Sequence, residues 1–234
     1  KNVLDLGCGR TPNMSILSKK LGAKLYIGVD LNPYVKLPLA VLEGSLPREG
    51  LRIPVDEKGG FIKREKNMAE LKPARVFEQF AAINKIPRPS KHEEKMIDYL
   101  KEFAEKRNLE HEVDETGNVI IRKPATPGME NKPCVILQSH MDMVCDKLVD
   151  VEIDFQNDPI QTYVDGEWLK AKGTTLGADD GIGCAIELAL LDSDDIEHGP
   201  VECVFTVDEE TGLTGAFGMK PGFMSGKYLI NLDS

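Results

Sequence analysis

The sequence predicts an α/β fold, and three observations carry that prediction. Short apolar runs such as CVILQSH, VECVFTV and YLIN have the length of strands. Longer segments, MIDYLKEFA and GIGCAIELALL, place apolar residues at helical spacing. Acidic residues and a histidine recur where these elements end, which is how a sheet flanked by helices gathers side chains along one edge.

A chain of 234 residues with 41% hydrophobic content has room for one large domain or two smaller ones, and enough apolar side chains for a core. The net charge of −10 argues against non-specific binding to nucleic acid or to an anionic membrane. No apolar run approaches the ~18 residues that a membrane span needs, and no signal peptide is legible. The five cysteines, Cys8, Cys134, Cys145, Cys184 and Cys203, form an odd set without CxxC spacing, so a reducing cytoplasm without disulfides is expected. The chain starts inside one strand-like run and stops just after another, so it reads as a piece of something longer.

Residues 1–55 form the first segment. KNVLDLGCG is a strand ending in Asp5, Gly7 and Gly9, MSILSKKLG is helical, and KLYIGVD is a second strand ending in Asp30. Such a β-α-β half lets glycines admit a ligand to the backbone while an acid accepts hydrogen bonds from ribose. It resembles the start of S-adenosylmethionine-dependent methyltransferases, with Asp5, Gly7, Gly9 and Asp30 as the cofactor positions. Thr11 and Pro12 stand where that motif carries its third glycine, and no further strands and helices follow to complete a sheet. The segment is therefore read as a remnant that does not bind S-adenosylmethionine. Residues 56–67, DEKGGFIKREKN, lack periodicity and read as a linker, after which residues 68–234 begin afresh at Met68.

In this last segment a helix is expected from about Ala74 to Asn84, with Val76, Phe77, Phe80 and Ile83 on one face. Ser90 and Glu93 have capping-box spacing ahead of a second helix that packs through Met96, Ile97, Leu100, Phe103 and Ala104. Asn118 to Arg122 and Cys134 to Gln138 read as strands. His92, His111 and His198 are placed at the surface or in loops.

The chemistry gathers at four places. His140 and Asp142 end the CVILQSH run two residues apart, a spacing at which a carboxylate can hold one imidazole nitrogen while the other binds a metal. Asp179 and Asp180, flanked by glycines, precede a helix with Ile182, Cys184, Ala185 and Leu188 for packing, and a carboxylate there can bridge two cations. Glu209 and Glu210 follow VECVFTV, where alternation along an extended chain would point one at a metal and the other into the cleft as a base. Asp233 ends YLINLD. Histidine mixed with carboxylates favours zinc, with manganese or cobalt as alternatives.

HMD, GTTLGADDGIG, DEETGLTGAFG and INLDS, in this order, resemble the co-catalytic zinc exopeptidases, and the wording around them is similar to the Xaa-His dipeptidases, also called aminoacyl-histidine or cytosol non-specific dipeptidases. The resemblance implies a mixed central sheet flanked by helices and a dinuclear zinc site that hydrolyses dipeptides. It implies that His140 and Asp233 bind one zinc, Asp179 bridges both and Glu210 binds the second. Glu209 would be the general base and Asp142 the residue that orients His140. It places a cis peptide at Asp179–Asp180. It also implies a further zinc-binding histidine, a lid domain and, for the complete protein, a homodimer. The histidine and the lid lie outside these residues, so the chain is expected to hold most of a half-site and little activity. Two other readings stand beside this one: a methyltransferase, and a non-enzymatic metal-binding module.

Overall fold

The computed structural model describes residues 71–165 and 168–233, together with the strands at 2–5 and 25–28. Gly7, Gly9, Asp30, the expected linker and Met68 lie outside the described residues. In chain order the strands are β1 (Asn2–Asp5), β2 (Leu25–Gly28), β3 (Glu110–Val113), β4 (Val119–Lys123), β5 (Val135–His140), β6 (Thr162–Asp165), β7 (Trp168–Ala171), β8 (Val201–Thr206) and β9 (Tyr228–Asn231). The helices are α1 (Ala74–Ile83), α2 (Glu94–Lys106) and α3 (Ala178–Leu191), with the short helical turns α4 (Glu209–Gly212) and α5 (Thr214–Gly218).

Seven strands form one mixed sheet in the order β2-β1-β9-β5-β8-β4-β3. The run β2, β1, β9, β5 and β8 is parallel throughout, and β4 and β3 continue it antiparallel. This is the α/β architecture that the sequence predicts, with the mixed sheet that the resemblance implies. β6 and β7 form a separate antiparallel hairpin.

Alternation along the strands divides the core between two faces. Val119, Ile121, Leu137, Cys203 and Phe205 join Phe80, Ile83, Met96, Leu100, Phe103 and Leu188 on the helical side. Ile120, Ile136, Val204 and Leu229 meet Met219, Phe223 and Met224 on the other. Every residue of β8 is buried, as a strand covered on both faces requires. Helix α3 packs on β5 and on α1, and α2 packs on β3 and β4. Phe80, wholly buried between them, contributes roughly 1.5–3 kcal/mol through burial of its ring.

Two expectations about this region change. Ser90 and Glu93 do not form a capping box, because α2 has Glu93 itself at its N-cap position and no side-chain cap; both side chains are spent on the neighbouring loops instead. His198 lies in a loop, as expected, but is buried at 9% exposure. His92 is exposed and His111 half-buried beside Glu105. Cys134, Cys145, Cys184 and Cys203 form no disulfide among the described residues.

Candidate metal centre

Parallel strands bring their C-terminal ends to one edge of the sheet, and register decides which residues meet there. His140 pairs with Thr206 across β5 and β8, and Gln138 pairs with Asn231 across β5 and β9. Asp233, two residues beyond Asn231, is thereby brought level with His140. A buried ladder fixes this alignment: Asn231 Nδ2 donates to Gln138 Oε1 at 2.6 Å, and Gln138 Nε2 donates to Thr206 Oγ1 at 3.3 Å. A slip by one residue would break both bonds and leave their amides unpaired in the interior.

Asp179 arrives from the other direction, at the start of α3. Gly177 precedes it in the left-handed region at φ 67°, where the chain turns into the helix, and the Asp179–Asp180 peptide is cis. His140, Asp179 and Asp233 then each offer a ligand atom within 4.8 Å of the other two. His140 is 1% exposed; the Asp179 side chain is 55% exposed, so the group opens to solvent on that side.

Asp142 lies against the imidazole. Its Oδ1 lies 3.2 Å from His140 Nδ1, leaving Nε2 to face Asp179 Oδ1 at 3.0 Å. Asp142 also accepts hydrogen bonds from Ser90 Oγ at 2.7 Å and from the backbone N–H groups of Glu209 and Glu210 at 3.0 and 3.3 Å. Burial alone would raise its pKa, but the bonds from His140, Ser90 and Glu209 outweigh it and hold the carboxyl at about 2.

Glu209 and Glu210 sit in α4, a helical turn, not in an extended segment. Alternation along a strand therefore does not divide their roles; successive helical residues diverge by about 100° instead. Both are half-buried beside His140 and Asp179, and burial raises the pKa of each. Glu210 is not one of the three residues whose ligand atoms converge. Asp5 ends β1, with nothing described of its side chain.

Carboxylates crowded against one buried imidazole shift one another's titration. Burial, with the charges of Asp179 and Glu209, pushes Asp233 up to about 7 against the pull of His140. Burial would lower the His140 pKa, yet the contacts with Asp142 and Asp179 raise it well above its ordinary value. Asp180 is raised well above the carboxylate range, first by burial, while it accepts bonds from the backbone N–H of His140 at 3.2 Å and of Gly183 at 3.1 Å. One imidazole and two carboxylates around a common point, with a further carboxylate fixing the imidazole, suit a divalent ion with mixed nitrogen and oxygen ligands.

Further residues, some of them outside the sequence motifs, hold this arrangement. Glu93, Asp142 and Asp208 form a second close group of carboxylates. Glu93 Oε1 accepts from the backbone N–H of Lys91 and Asp208, each at 2.9 Å, and the hydroxyls of Thr211 and Thr214 donate to Asp208. This ties the turn that carries Glu209 to the strap ahead of α2. Arg88, 1% exposed, donates to three backbone carbonyls around the site. The PRPS run is the signal that could have found Arg88 and Ser90, since an arginine held between two prolines has a stiff backbone.

No family model matches the chain. The cytosol non-specific dipeptidase of Escherichia coli is 48% identical over 167 residues, which are 71% of this chain and 34% of that protein. Among solved structures, the aminoacylhistidine dipeptidase from Vibrio alginolyticus superposes with a TM-score of 0.71 at 53% identity, covering 72% of this chain and 34% of that one. A tripeptidase from Staphylococcus aureus follows with a TM-score of 0.57 at 25% identity, over 68% of this chain and 43% of that chain. The chain thus spans about a third of the length of the two dipeptidases it matches. Among the described residues no helix is long and apolar enough to cross a membrane.

Proposed function

We propose that this chain carries the greater part of the metal centre of a cytoplasmic dinuclear zinc dipeptidase. The observation that supports it most is the convergence of His140, Asp179 and Asp233 at the C-terminal edge of the parallel strands, within the part of the chain that is 48% and 53% identical to two dipeptidases. Identities of 48% and 53% to enzymes named for peptide hydrolysis favour this reading over methyl transfer.

In this reading His140, Asp179 and Asp233 would hold one zinc, and Asp179 and Glu210 would hold a second. Zinc bound there would supply Lewis-acid polarisation of the scissile carbonyl and acidify a water. Asp142 keeps the His140 Nδ1 proton, so that Nε2 presents its lone pair outward. Glu209 is the general base: its carboxylate takes a proton from the attacking water and returns it to the leaving amine. Burial raises the pKa of Glu209, which strengthens it as a proton acceptor. The substrate is a small dipeptide.

The test is a chimera in which the matching 167 residues replace their counterparts in the Escherichia coli dipeptidase. Dipeptide hydrolysis that is lost on Glu209→Gln is the expected result. A folded, zinc-loaded chimera without turnover would refute the assignment.

A further inference from the structure

Arg88 is the one lysine or arginine buried among the described residues, at 1% exposure. Among those residues it forms no ion pair within 4.0 Å, so its burial is not explained by a carboxylate partner. Its fork reaches two segments instead. Nη1 donates to the carbonyls of Met141 at 3.1 Å and Asp142 at 2.8 Å, directly after His140. Nη2 donates to the carbonyl of Gly177 at 2.6 Å, two residues before Asp179.

The surroundings are shaped to the guanidinium. A Cβ on Gly177 would lie 2.5 Å from Nη2, and one on Gly181 would lie 2.6 Å from it. The two glycines that bracket Asp179 and Asp180 therefore clear the space that the planar head occupies. The strap bearing Arg88 is tied to the same turn along its backbone: Met143 N–H donates to the Arg88 carbonyl at 3.2 Å, and Pro89 forms a parallel bridge with Met143. A core-filling residue would need neither the fork nor the glycines.

We propose that Arg88 is a positioning residue of the metal centre, its guanidinium setting the separation between the turn after His140 and the turn before Asp179. This rests on the metal reading given above. A lysine at this position has a single ammonium and cannot span both segments as a planar fork does.

The experiment compares the unsubstituted 234-residue chain with Arg88→Lys and Arg88→Ala, using zinc alone in competition with a chromophoric chelator, and cobalt alone for its visible absorption. Thermal melting of the metal-free proteins reports folding separately. The expected result is that Arg88→Lys remains folded without metal, binds zinc about 10- to 100-fold more weakly and shifts the cobalt spectrum. Arg88→Ala should bind more weakly still and regain affinity with millimolar guanidinium but not with methylamine. Zinc affinity in Arg88→Lys within about twofold of the parent would overturn the proposal. So would failure of both variants to fold, because Arg88 would then be a general core residue. If the unsubstituted chain binds no zinc, the metal reading itself has failed, an outcome told apart by needing no variant.

Discussion

Asp142 Oδ1 stands 3.2 Å from His140 Nδ1, and this contact decides which imidazole nitrogen faces Asp179. Asp142→Asn keeps an oxygen at the position but removes its charge and allows the amide to present N–H instead. Zinc affinity is expected to fall about 10- to 100-fold, as for other residues that orient a ligating histidine. Chelator competition measures it, and an unchanged constant would reduce Asp142 to a packing role.

Protons compete with the metal. Asp233, pushed up to about 7, and His140, raised well above its ordinary value, both hold protons in the metal-free protein that a cation must displace. Zinc binding should release protons to an indicator dye, more at about pH 6 than at about pH 8, and apparent affinity should climb between them. The stability of the metal-free protein runs the other way. A carboxyl whose folded pKa is raised contributes stability in full below its unfolded value near 3.9 and loses it as pH rises through about 7. Asp142, held at about 2, adds no slope in that window. Melting temperature should therefore drop from about pH 5 to about pH 7.5 without metal, and a flat profile would contradict the burial assigned to Asp233.

Glu209 and Glu210 are adjacent but are given different tasks. Glu209→Gln should leave zinc content unchanged and lower dipeptide turnover of the chimera by about 10²- to 10⁴-fold. Glu210→Gln should remove the more weakly held zinc from the same protein. Elemental analysis after dialysis distinguishes them, and equal zinc contents in the two variants would undo the division.

Glu187 lies on α3 with both carboxylate oxygens buried and no donor in good hydrogen-bond geometry; burial pushes its pKa well above the ordinary range, and the nearby Ser139 hydroxyl offsets only part of this. Glu187→Leu should stabilise the protein by about 1–3 kcal/mol, since the cost of leaving that group unpaired disappears. A urea midpoint that moves down would show that the carboxyl serves a partner.

The sheet and the three converging residues were legible because each depends on a local pattern. β5 and β9 are apolar runs of strand length with His140 and Asp233 at or just beyond their ends, and Asp179 sits between glycines at the start of an apolar helix. Once parallel pairing is assumed, these residues share an edge without any knowledge of distant contacts. The bracing residues were not legible for the opposite reason. Ser90 and Glu93 have the spacing of a helix cap, and only the tertiary approach of Asp142 and Asp208 draws them away. Arg88 looks like an exposed charge until Gly177 and Gly181, ninety residues on, are seen to leave room for it. The strand-like reading of Glu209 and Glu210 failed because Asp208 turns left-handed at φ 49° and starts a helical turn at once.

Zinc stoichiometry of the metal-free chain, titrated beside Asp179→Asn, tests the shared ligand most directly. One tightly held equivalent in the parent, lost in the variant while the metal-free fold persists, is the predicted result. Tight zinc binding that survives Asp179→Asn unchanged, or a parent chain with none, would contradict a centre assembled from His140, Asp179 and Asp233.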